Sequence, residues 1–323
     1  MNLNNISVLV TGGAGFIGSH LVDALVIENP KEIIVVDDMF LGKESNLKDA
    51  KKKFSKLVLY KEDAANFEAM KKILTKHKID VIFDLAVIPL PASLEVPKQS
   101  TDKNIEIVTT ICELQRLGLF KTLIHFSSSE AYGSSQHDEP MSEKHPLGPS
   151  TPYAASKAAG DLIALSYYRT FGTECAIVRP FNNYGPRQNA GAYAGVIPLT
   201  ITRLYNNETP VIYGDGKQTR DYIYVTDTAT AAIEIYKNKD TRGKIINIGS
   251  GKEINILSLI TEIMKLLKCN KKIKFEPARP GDVKRHIANI YLAKDIFGFN
   301  PKVGFEEGMK NTVNWYLKSM KGE

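Results

Sequence analysis

The sequence is poor in cysteine and has no long hydrophobic run. Its three cysteines, Cys112, Cys175 and Cys269, are widely spaced among apolar neighbours, which fits neither a disulfide framework nor a metal site. We expect them in the core and expect no bound metal. No apolar stretch approaches the roughly 18 residues of a membrane span, and the chain enters its first apolar segment without a signal peptide. These absences exclude the disulfide-rich secreted class and predict a cytoplasmic protein with no membrane partner.

Low-complexity tracts and long internal repeats are also absent. Hydrophobic residues make up 43% and charged residues 24% of the chain, as in an ordinary globular protein. The net charge of +6 comes from scattered lysines that do not alternate with aromatic residues, so it does not predict binding to nucleic acid. A small anionic substrate would account for the positive charge as well as nucleic acid would. The length of 323 residues allows one large α/β domain or two domains that share a cleft.

A glycine-rich turn, TGGAGFIG at residues 11–18, follows the first apolar run and leads into a helical pattern. This is the strand, turn and helix of a dinucleotide-binding unit. Gly12 suits the tight turn, Gly15 lets backbone N–H groups approach a pyrophosphate, and Gly18 lets the helix pack close to the strand. An anion at such a helix N-terminus needs no basic side chain. The turn therefore predicts cofactor contacts from Gly12, Gly15, Phe16, Ile17 and Gly18.

Two acids end the second apolar run, residues 33–36. Asp37 and Asp38 lie close to the distance at which a dinucleotide site places an acid on the ribose hydroxyls. A carboxylate facing that ribose repels a 2′-phosphate, so we predict NAD rather than NADP as the cofactor. The alternative is that Asp37 merely ends a strand.

Three further strands are predicted at residues 57–60, 81–85 and 123–126. Ligands collect at the carboxyl ends of parallel strands, where Asp63 is placed to accept a hydrogen bond from the adenine amine. Small residues after the fourth strand let the chain pass close to the cofactor. Five strand-to-helix steps predict a doubly wound Rossmann sheet of the α/β class. The cofactor contacts predicted in this part of the chain are Asp63, Ala64, Leu85, Ala86 and Asn104.

A tyrosine and a lysine open the helix predicted after the fifth strand. Tyr153 and Lys157 are one helical turn apart and share a face, where an ammonium stabilises a phenolate and lowers the tyrosine pKa. Ser128, just past the strand end, is placed to orient the same substrate hydroxyl. Spacing alone is weak evidence, because Tyr213 and Lys217 share it in a Gly-Asp-Gly turn that cannot be helical. The position of Tyr153 after a dinucleotide site decides in its favour.

With these features the chain resembles the extended short-chain dehydrogenase/reductases that modify nucleotide sugars. Three later segments also look like motifs of that family: RPFNNYGPR at 179–187, GDGKQTRDY at 214–222 and ARPGD at 278–282. The resemblance covers nearly the whole chain, and its motifs together are highly specific.

The resemblance implies how the chain is divided and assembled. A Rossmann domain is expected in residues 1–180 with a returning segment at about 222–249, and a smaller substrate domain in most of 181–323. Helices near 103–117 and 153–170 resemble the family's four-helix interface, so a homodimer is expected.

The resemblance also implies which residues hold the substrate, a nucleotide sugar. Guanidinium groups bind its two phosphates through charge-assisted contacts. The implied pyrophosphate contacts are Asn182, Arg220 and Arg279, with Arg187 a weaker candidate, the implied nucleobase neighbours are Val196 and Tyr213, and Pro180 is implied at the cofactor. Core packing is a fair alternative for Val196 and Tyr213.

The reaction that the resemblance implies begins with oxidation at C4 of the sugar. The Tyr153 phenolate removes the C4 hydroxyl proton while the C4 hydride moves to NAD, and the resulting ketone acidifies the C5 proton. Simple C4 epimerases of the family usually carry small or neutral residues after Ser128. The 4,6-dehydratases carry an acid and a base there, commonly Asp-Glu, and Glu130 matches the base.

Ser129 departs from the Asp-Glu pattern, since a serine hydroxyl is far too weak an acid to protonate a leaving group unaided. A Ser-Glu pair nevertheless resembles the GDP-mannose 4,6-dehydratases and the UDP-glucuronate decarboxylases. We expect a 4,6-dehydratase that uses GDP-N-acetylglucosamine, with a UDP-glucose-type C4 epimerase or a UDP-glucuronate decarboxylase as the alternatives. The implied catalytic residues are Ser128, Ser129, Glu130, Tyr153 and Lys157.

Overall fold

A computed structural model describes residues 3–135, 138–278 and 283–322. The β-strands are β1 (Ser7–Thr11), β2 (Glu32–Val36), β3 (Leu57–Tyr60), β4 (Val81–Asp84), β5 (Thr122–Phe126), β6 (Glu174–Pro180), β7 (Asn182–Tyr184), β8 (Val211–Tyr213), β9 (Thr219–Tyr224), β10 (Ile245–Ile248), β11 (Glu253–Asn255) and β12 (Lys274–Glu276). The α-helices are α1 (Phe16–Glu28), α2 (Lys48–Lys53), α3 (Phe67–His77), α4 (Leu90–Glu95), α5 (Pro97–Arg116), α6 (Pro152–Phe171), α7 (Val196–Tyr205), α8 (Val225–Lys237), α9 (Ile256–Leu266), α10 (Tyr291–Phe297) and α11 (Phe305–Lys321). Short 3₁₀ turns lie at Glu44–Leu47, Ser129–Tyr132 and Lys239–Thr241.

The largest sheet has seven parallel strands in the order β10-β6-β5-β4-β1-β2-β3. The chain proceeds outward from β1 in both directions, which is the doubly wound arrangement of a Rossmann fold. Every residue of β1 and β5 is buried, because apolar side chains pack on both faces of the sheet. The predicted fold class is confirmed.

Most predicted elements are present, with shifted ends. Helix α3 spans the predicted residues, whereas α5 begins at Pro97 rather than near 103, and β4 ends at Asp84. Pro97 and Pro152 both lie in the first turn of their helices, where a missing N–H costs no hydrogen bond. The polar stretch before β3 contains one unpredicted helix, α2, whose lysines are exposed.

Two cores flank the large sheet, and a third lies in the C-terminal part of the chain. Cys112 and Cys175 are buried free thiols in the second core, as expected, whereas Cys269 is only partly buried against the third. That third core joins α7, α9 and α11 to the small sheet β11-β9-β7. The chain returns to the large sheet through β10, which pairs with β6. The division into a Rossmann and a substrate domain stays a prediction.

Over residues 3–135, 138–278 and 283–322, no helix combines the length and the apolar character needed to cross a membrane. Within the same ranges, no three histidine, cysteine or acidic side chains are grouped so that they could hold a metal ion.

Candidate active site

The carboxyl ends of the central strands open into a cleft of about 450 Å³. It contains every predicted cofactor residue except Asn104, namely Gly12, Gly15, Phe16, Ile17, Gly18, Asp37, Asp38, Asp63, Ala64, Leu85, Ala86, Tyr153, Lys157 and Pro180. Asn104 is buried behind the cleft wall, where its Oδ1 accepts from Ile88 N at 2.8 Å and its Nδ2 donates to Ser156 Oγ at 3.0 Å. Asn104 therefore supports Ile88, a cleft residue, rather than lining the cleft itself.

The glycine turn has the backbone that its sequence predicts. Gly12 has a φ of +62°, and a Cβ on Gly18 would lie 2.2 Å from the Gly12 carbonyl oxygen, so the helix packs directly on the turn. Helix α1 begins after Gly15 with no side-chain cap and no acidic residue in its first turn. The N–H groups of that turn have no acceptors within the helix and are available to an anion.

Asp37 and Asp38 follow directly after the end of β2 and line the cleft. Asp37 is 6% exposed, and its carboxylate accepts hydrogen bonds from Ala14 N and Met39 N, each at 2.9 Å. Burial raises the pKa of Asp37, while these backbone donors lower it. Each carboxylate oxygen can accept a second hydrogen bond, so the Asp37 carboxylate has acceptor capacity left for a hydroxyl.

Asp63 also lines the cleft but already has a cationic partner. Its Oδ2 lies 2.7 Å from Lys103 Nζ, and its Oδ1 accepts from Ala65 N at 2.8 Å. Lys103 lines the same cleft and was not predicted. The contact joins the end of β3 to α5, two segments far apart in sequence, so no local pattern could reveal it.

Four of the five predicted catalytic residues share the cleft, and Ser129 does not. Ser128 begins the 3₁₀ turn, and its Oγ accepts from Glu130 N at 3.2 Å. Ser129 is 3% exposed and is not a cleft residue. A 3₁₀ turn rotates each residue by about 120°, so neighbouring side chains point in different directions. The structure thus gives Glu130, and not Ser129, access to a ligand in the cleft.

Burial dominates the titration of the tyrosine and lysine pair. It raises the pKa of Tyr153 to about 12, with the hydrogen bond to Ser128 lowering it and the charges of Glu130 and Asp161 raising it further. Burial also lowers the pKa of Lys157, against the charge of Asp84 and that of Asp161. The pKa of Tyr153 in the protein alone is therefore raised and not lowered as predicted, because desolvation is its largest cause.

A buried polar cluster holds the lysine-bearing helix against the strand ends. Asp161, one turn after Lys157 on α6, forms an ion pair with Arg179 of β6 and accepts from Ser127 Oγ at 2.6 Å. His125 Nδ1 donates to Asp84 at 2.8 Å in the adjacent strands. This cluster was not predicted, although the spacing of Lys157 and Asp161 is visible in the sequence. Its carboxylates favour the ammonium form of Lys157.

Three polar atoms in the cleft wall indicate a polar ligand. Asn182 Nδ2, Asn183 Oδ1 and Gln188 Oε1 are buried and have no hydrogen-bond partner among residues 3–135, 138–278 and 283–322. Buried polar atoms are normally paired, so such atoms in a cleft suit a ligand that supplies the missing partners. Asn182 was predicted from the resemblance, and the other two were not.

Four of the remaining predicted substrate residues do not line the cleft: Arg187, Val196, Tyr213 and Arg220. Arg187 is paired with Asp23 of α1 at 2.7 Å, and Arg220 of β9 donates to the carbonyls of Thr219 and Val283. Val196 begins α7 directly after Gly195, a cleft residue, and Tyr213 ends β8. Arg279 lies outside the described residues.

Comparison with known proteins decides the family. The family model described as GDP-mannose 4,6-dehydratase matches residues 9–312. The chain belongs to this family.

Relatives of this chain include enzymes of different reactions. The chain is 32% identical over 309 residues to a UDP-glucose 4-epimerase of Mycolicibacterium smegmatis, covering 95% of this chain and 97% of that protein. It is 33% identical over 326 residues to a dTDP-glucose 4,6-dehydratase of Actinoplanes sp., covering 96% and 98%. A crystal structure of dTDP-glucose 4,6-dehydratase from Streptomyces venezuelae with NAD bound has a TM-score of 0.92 at 30% identity, covering 98% of each chain. The chain is thus an enzyme of the nucleotide-sugar epimerase and dehydratase group.

Proposed function

We propose that this chain is an NAD-dependent nucleotide-sugar 4,6-dehydratase that produces a 4-keto-6-deoxy sugar. The observation that carries the proposal is the presence of the Glu130 carboxyl in the same cleft as Ser128, Tyr153 and Lys157. An epimerase exchanges hydrogen at C4 only, which the tyrosine, the serine and a hydride acceptor accomplish. A carboxylate beside them supplies a base for a second carbon atom.

The cleft fits NAD at its glycine end. The turn is too close-packed for side chains at Gly12 or Gly18, and the N-terminus of α1 suits a pyrophosphate. Asp37 and Asp38 suit the ribose hydroxyls, and Asp63 the adenine amine. When bound, NAD supplies a hydride acceptor whose nicotinamide ring is positively charged in the oxidised form. A positive charge near Tyr153 favours its phenolate, which opposes the effect of burial.

The side chains of the cleft then divide the proton transfers between them. Tyr153 takes the C4 hydroxyl proton while Ser128 orients that hydroxyl, and the C4 hydride departs. Glu130 takes the C5 proton, the C5–H electron pair forms the C5–C6 double bond, and the C6–O bond breaks. Because Ser129 is buried away from the cleft, Glu130 also protonates the departing C6 oxygen, which leaves as water. The hydride then adds to C6 and a proton adds to C5, while Tyr153 releases the proton that it took from the C4 hydroxyl, so the net change is the loss of one water.

The substrate that we propose is GDP-N-acetylglucosamine. Its pyrophosphate would bind to Asn182, Arg220 and Arg279, and its sugar would satisfy the unpaired atoms of Asn183 and Gln188. Two alternatives use the same C4 oxidation. A C4 epimerase would return the hydride to C4, and a decarboxylase would lose carbon dioxide from a glucuronate.

Mass spectrometry separates these reactions. The full-length protein would be incubated with NAD and, separately, with GDP-N-acetylglucosamine, GDP-mannose, UDP-glucose, dTDP-glucose and UDP-glucuronate. We expect the loss of one water from GDP-N-acetylglucosamine. An unchanged mass with inverted C4, or loss of carbon dioxide from UDP-glucuronate, would replace the dehydratase assignment.

Asp37→Ala is expected to raise the Kd for NAD about tenfold or more and to reduce the discrimination against NADP. A hydrogen bond to a charged group contributes about 1.5–3 kcal/mol, and the lost carboxylate no longer repels a 2′-phosphate. Titration calorimetry with both cofactors measures the effect. Asp38→Ala is the matched control and is expected to change both affinities less, because Asp38 is the more exposed of the two. If the ratio of the Kd values for NADP and NAD were unaltered in Asp37→Ala, a residue other than Asp37 would contact the ribose.

We also infer a homodimer through α5 and α6. These helices pack together, and α6 presents Leu162, which is 56% exposed. Leu162→Glu is expected to convert dimer to monomer in light scattering, since it places a charge in an apolar interface. Ile27→Glu is the control, because Ile27 is 85% exposed on α1. A wild-type monomer, or a Leu162→Glu dimer, would contradict this interface.

A further inference from the structure

His286 lies beside Glu130 but belongs to a distant part of the chain. It is fully buried, and its Nε2 is 2.6 Å from the carbonyl oxygen of Gly133. A carbonyl can only accept, so Nε2 carries the ring proton and Nδ1 of the neutral ring is an acceptor. Nδ1 lies 3.9 Å from Glu130 Oε1. Within the described part of the chain, Nδ1 has no hydrogen-bond partner.

The surroundings of His286 keep its ring neutral. Burial and the charge of Arg220 on β9 lower the pKa of His286 to about 4, with the Gly133 hydrogen bond acting in the other direction and His145 lowering it further. The Phe181 ring packs against the imidazole edge to face, with centroids 6.0 Å apart. A lowered pKa means that the ring is uncharged above that pH, so it is neutral throughout the neutral range.

A neutral Nδ1 distinguishes between the two forms of the Glu130 carboxyl. The carboxylate has only acceptors and gains nothing from a second acceptor, whereas the carboxylic acid can donate its proton to Nδ1. The separation of 3.9 Å becomes a hydrogen bond after a side-chain movement of about 1 Å. Once that hydrogen bond forms, the histidine stabilises the protonated form of Glu130 relative to the carboxylate.

We propose that His286 is a positioning residue for Glu130, whose Nδ1 accepts a hydrogen bond from that carboxyl once it has taken the C5 proton. This inference rests on the proposed dehydratase function, in which one carboxyl must hold the C5 proton until the C6–O bond breaks. The proton passes from C5 to Glu130 and then to the C6 oxygen, and His286 neither gains nor loses one. With this contact, a single glutamate serves where an acid and a base would otherwise be needed.

Two amide variants test the contributions of the two ring nitrogens of His286 separately. The His286→Gln side chain reaches the Nε2 position and can still donate to Gly133, but has no acceptor at the Nδ1 position. The His286→Asn side chain places its carbonyl near the Nδ1 position and loses the donor to Gly133. Both amides are uncharged, so they differ mainly in which contact they keep.

The assay follows the two half-reactions with NAD and GDP-N-acetylglucosamine, or with the panel sugar that loses water. C4 oxidation is read from the absorbance of reduced NAD, and C5 deprotonation from solvent deuterium in the product. We expect His286→Gln to slow water loss about tenfold, less than the roughly 10²- to 10⁴-fold of losing the base itself. C4 oxidation should stay within about twofold, since Tyr153 is untouched. His286→Asn should keep most of the water loss.

The pH profile gives a readout that a purely structural role would not change. Water loss rises with pH as Glu130 ionises, and without the Nδ1 acceptor the Glu130 pKa falls. The pH at which water loss rises should therefore be about one unit lower in His286→Gln than in the wild-type chain. In His286→Asn that pH should be unchanged.

Two results would overturn the role of His286 alone: wild-type water loss and pH profile in His286→Gln, or parallel losses of oxidation and water loss in both variants. If the wild-type chain loses water from no sugar of the panel, the dehydratase function fails and this inference fails with it.

Discussion

Tyr153→Phe is expected to slow C4 oxidation by about 10²- to 10⁴-fold while the Kd for NAD changes by less than about threefold. Phenylalanine keeps the ring in the cleft and removes only the hydroxyl that takes the substrate proton. Tyr153 is partly exposed to the cleft, and its hydroxyl is hydrogen-bonded to Ser128, so the loss removes a contact at the site rather than a core support. Stopped-flow absorbance of reduced NAD measures the oxidation, and calorimetry measures the affinity.

Tyr168→Phe is the matched control for this variant. Tyr168 lies on the same helix, α6, and packs against the second core outside the cleft. Its loss of a hydroxyl should leave oxidation unchanged. Full oxidation by Tyr153→Phe would require another base in the cleft and would remove Tyr153 from the mechanism.

The sequence predicts those parts of the site that depend on local pattern. The glycine turn and the strand ends follow from short motifs, and parallel strands bring their carboxyl ends to one edge of the sheet. Gly12, Asp37 and Leu85 therefore meet in one cleft although they lie on three strand ends. The close approach at Gly18 is also confirmed, because glycine spacing encodes a distance between two backbones.

Contacts between distant segments could not be predicted. Asp63 with Lys103, Arg187 with Asp23, and His286 with Gly133 each join elements that no local periodicity relates. The effect of burial was equally hidden: a lysine one turn from Tyr153 predicts a lowered pKa, but the depth of packing decides the sign.

Ser129 and Glu130 are adjacent in the sequence but differ in their access to the cleft. A family motif treats them as a pair, yet the 3₁₀ turn buries Ser129 and exposes Glu130 to the cleft. Any proton needed at the C6 oxygen must come through Glu130 in the mechanism proposed above.

Glu130→Gln is accordingly expected to reduce water loss by about 10²- to 10⁴-fold without slowing C4 oxidation. Glutamine keeps the size of the side chain and the backbone hydrogen bond from residue 130 to Ser128 Oγ, but it cannot take the C5 proton. Mass spectrometry of the product and deuterium uptake at C5 from heavy water measure the loss. Glu139→Gln is the control, since Glu139 is exposed in the loop that follows.

The charge of Glu130 also acts on Tyr153, which gives the Glu130→Gln variant a second expected effect. The negative charge of Glu130 raises the pKa of Tyr153, so neutralising residue 130 should lower that pKa and increase the phenolate fraction below it. Glu130→Gln is therefore expected to oxidise C4 at least as fast as the wild-type chain at neutral pH, while elimination stops. Opposite effects on the two half-reactions cannot come from a general loss of folding or of NAD binding. Water loss at the wild-type rate would show that another group takes the C5 proton, and equal loss of both steps would place Glu130 in the first step instead.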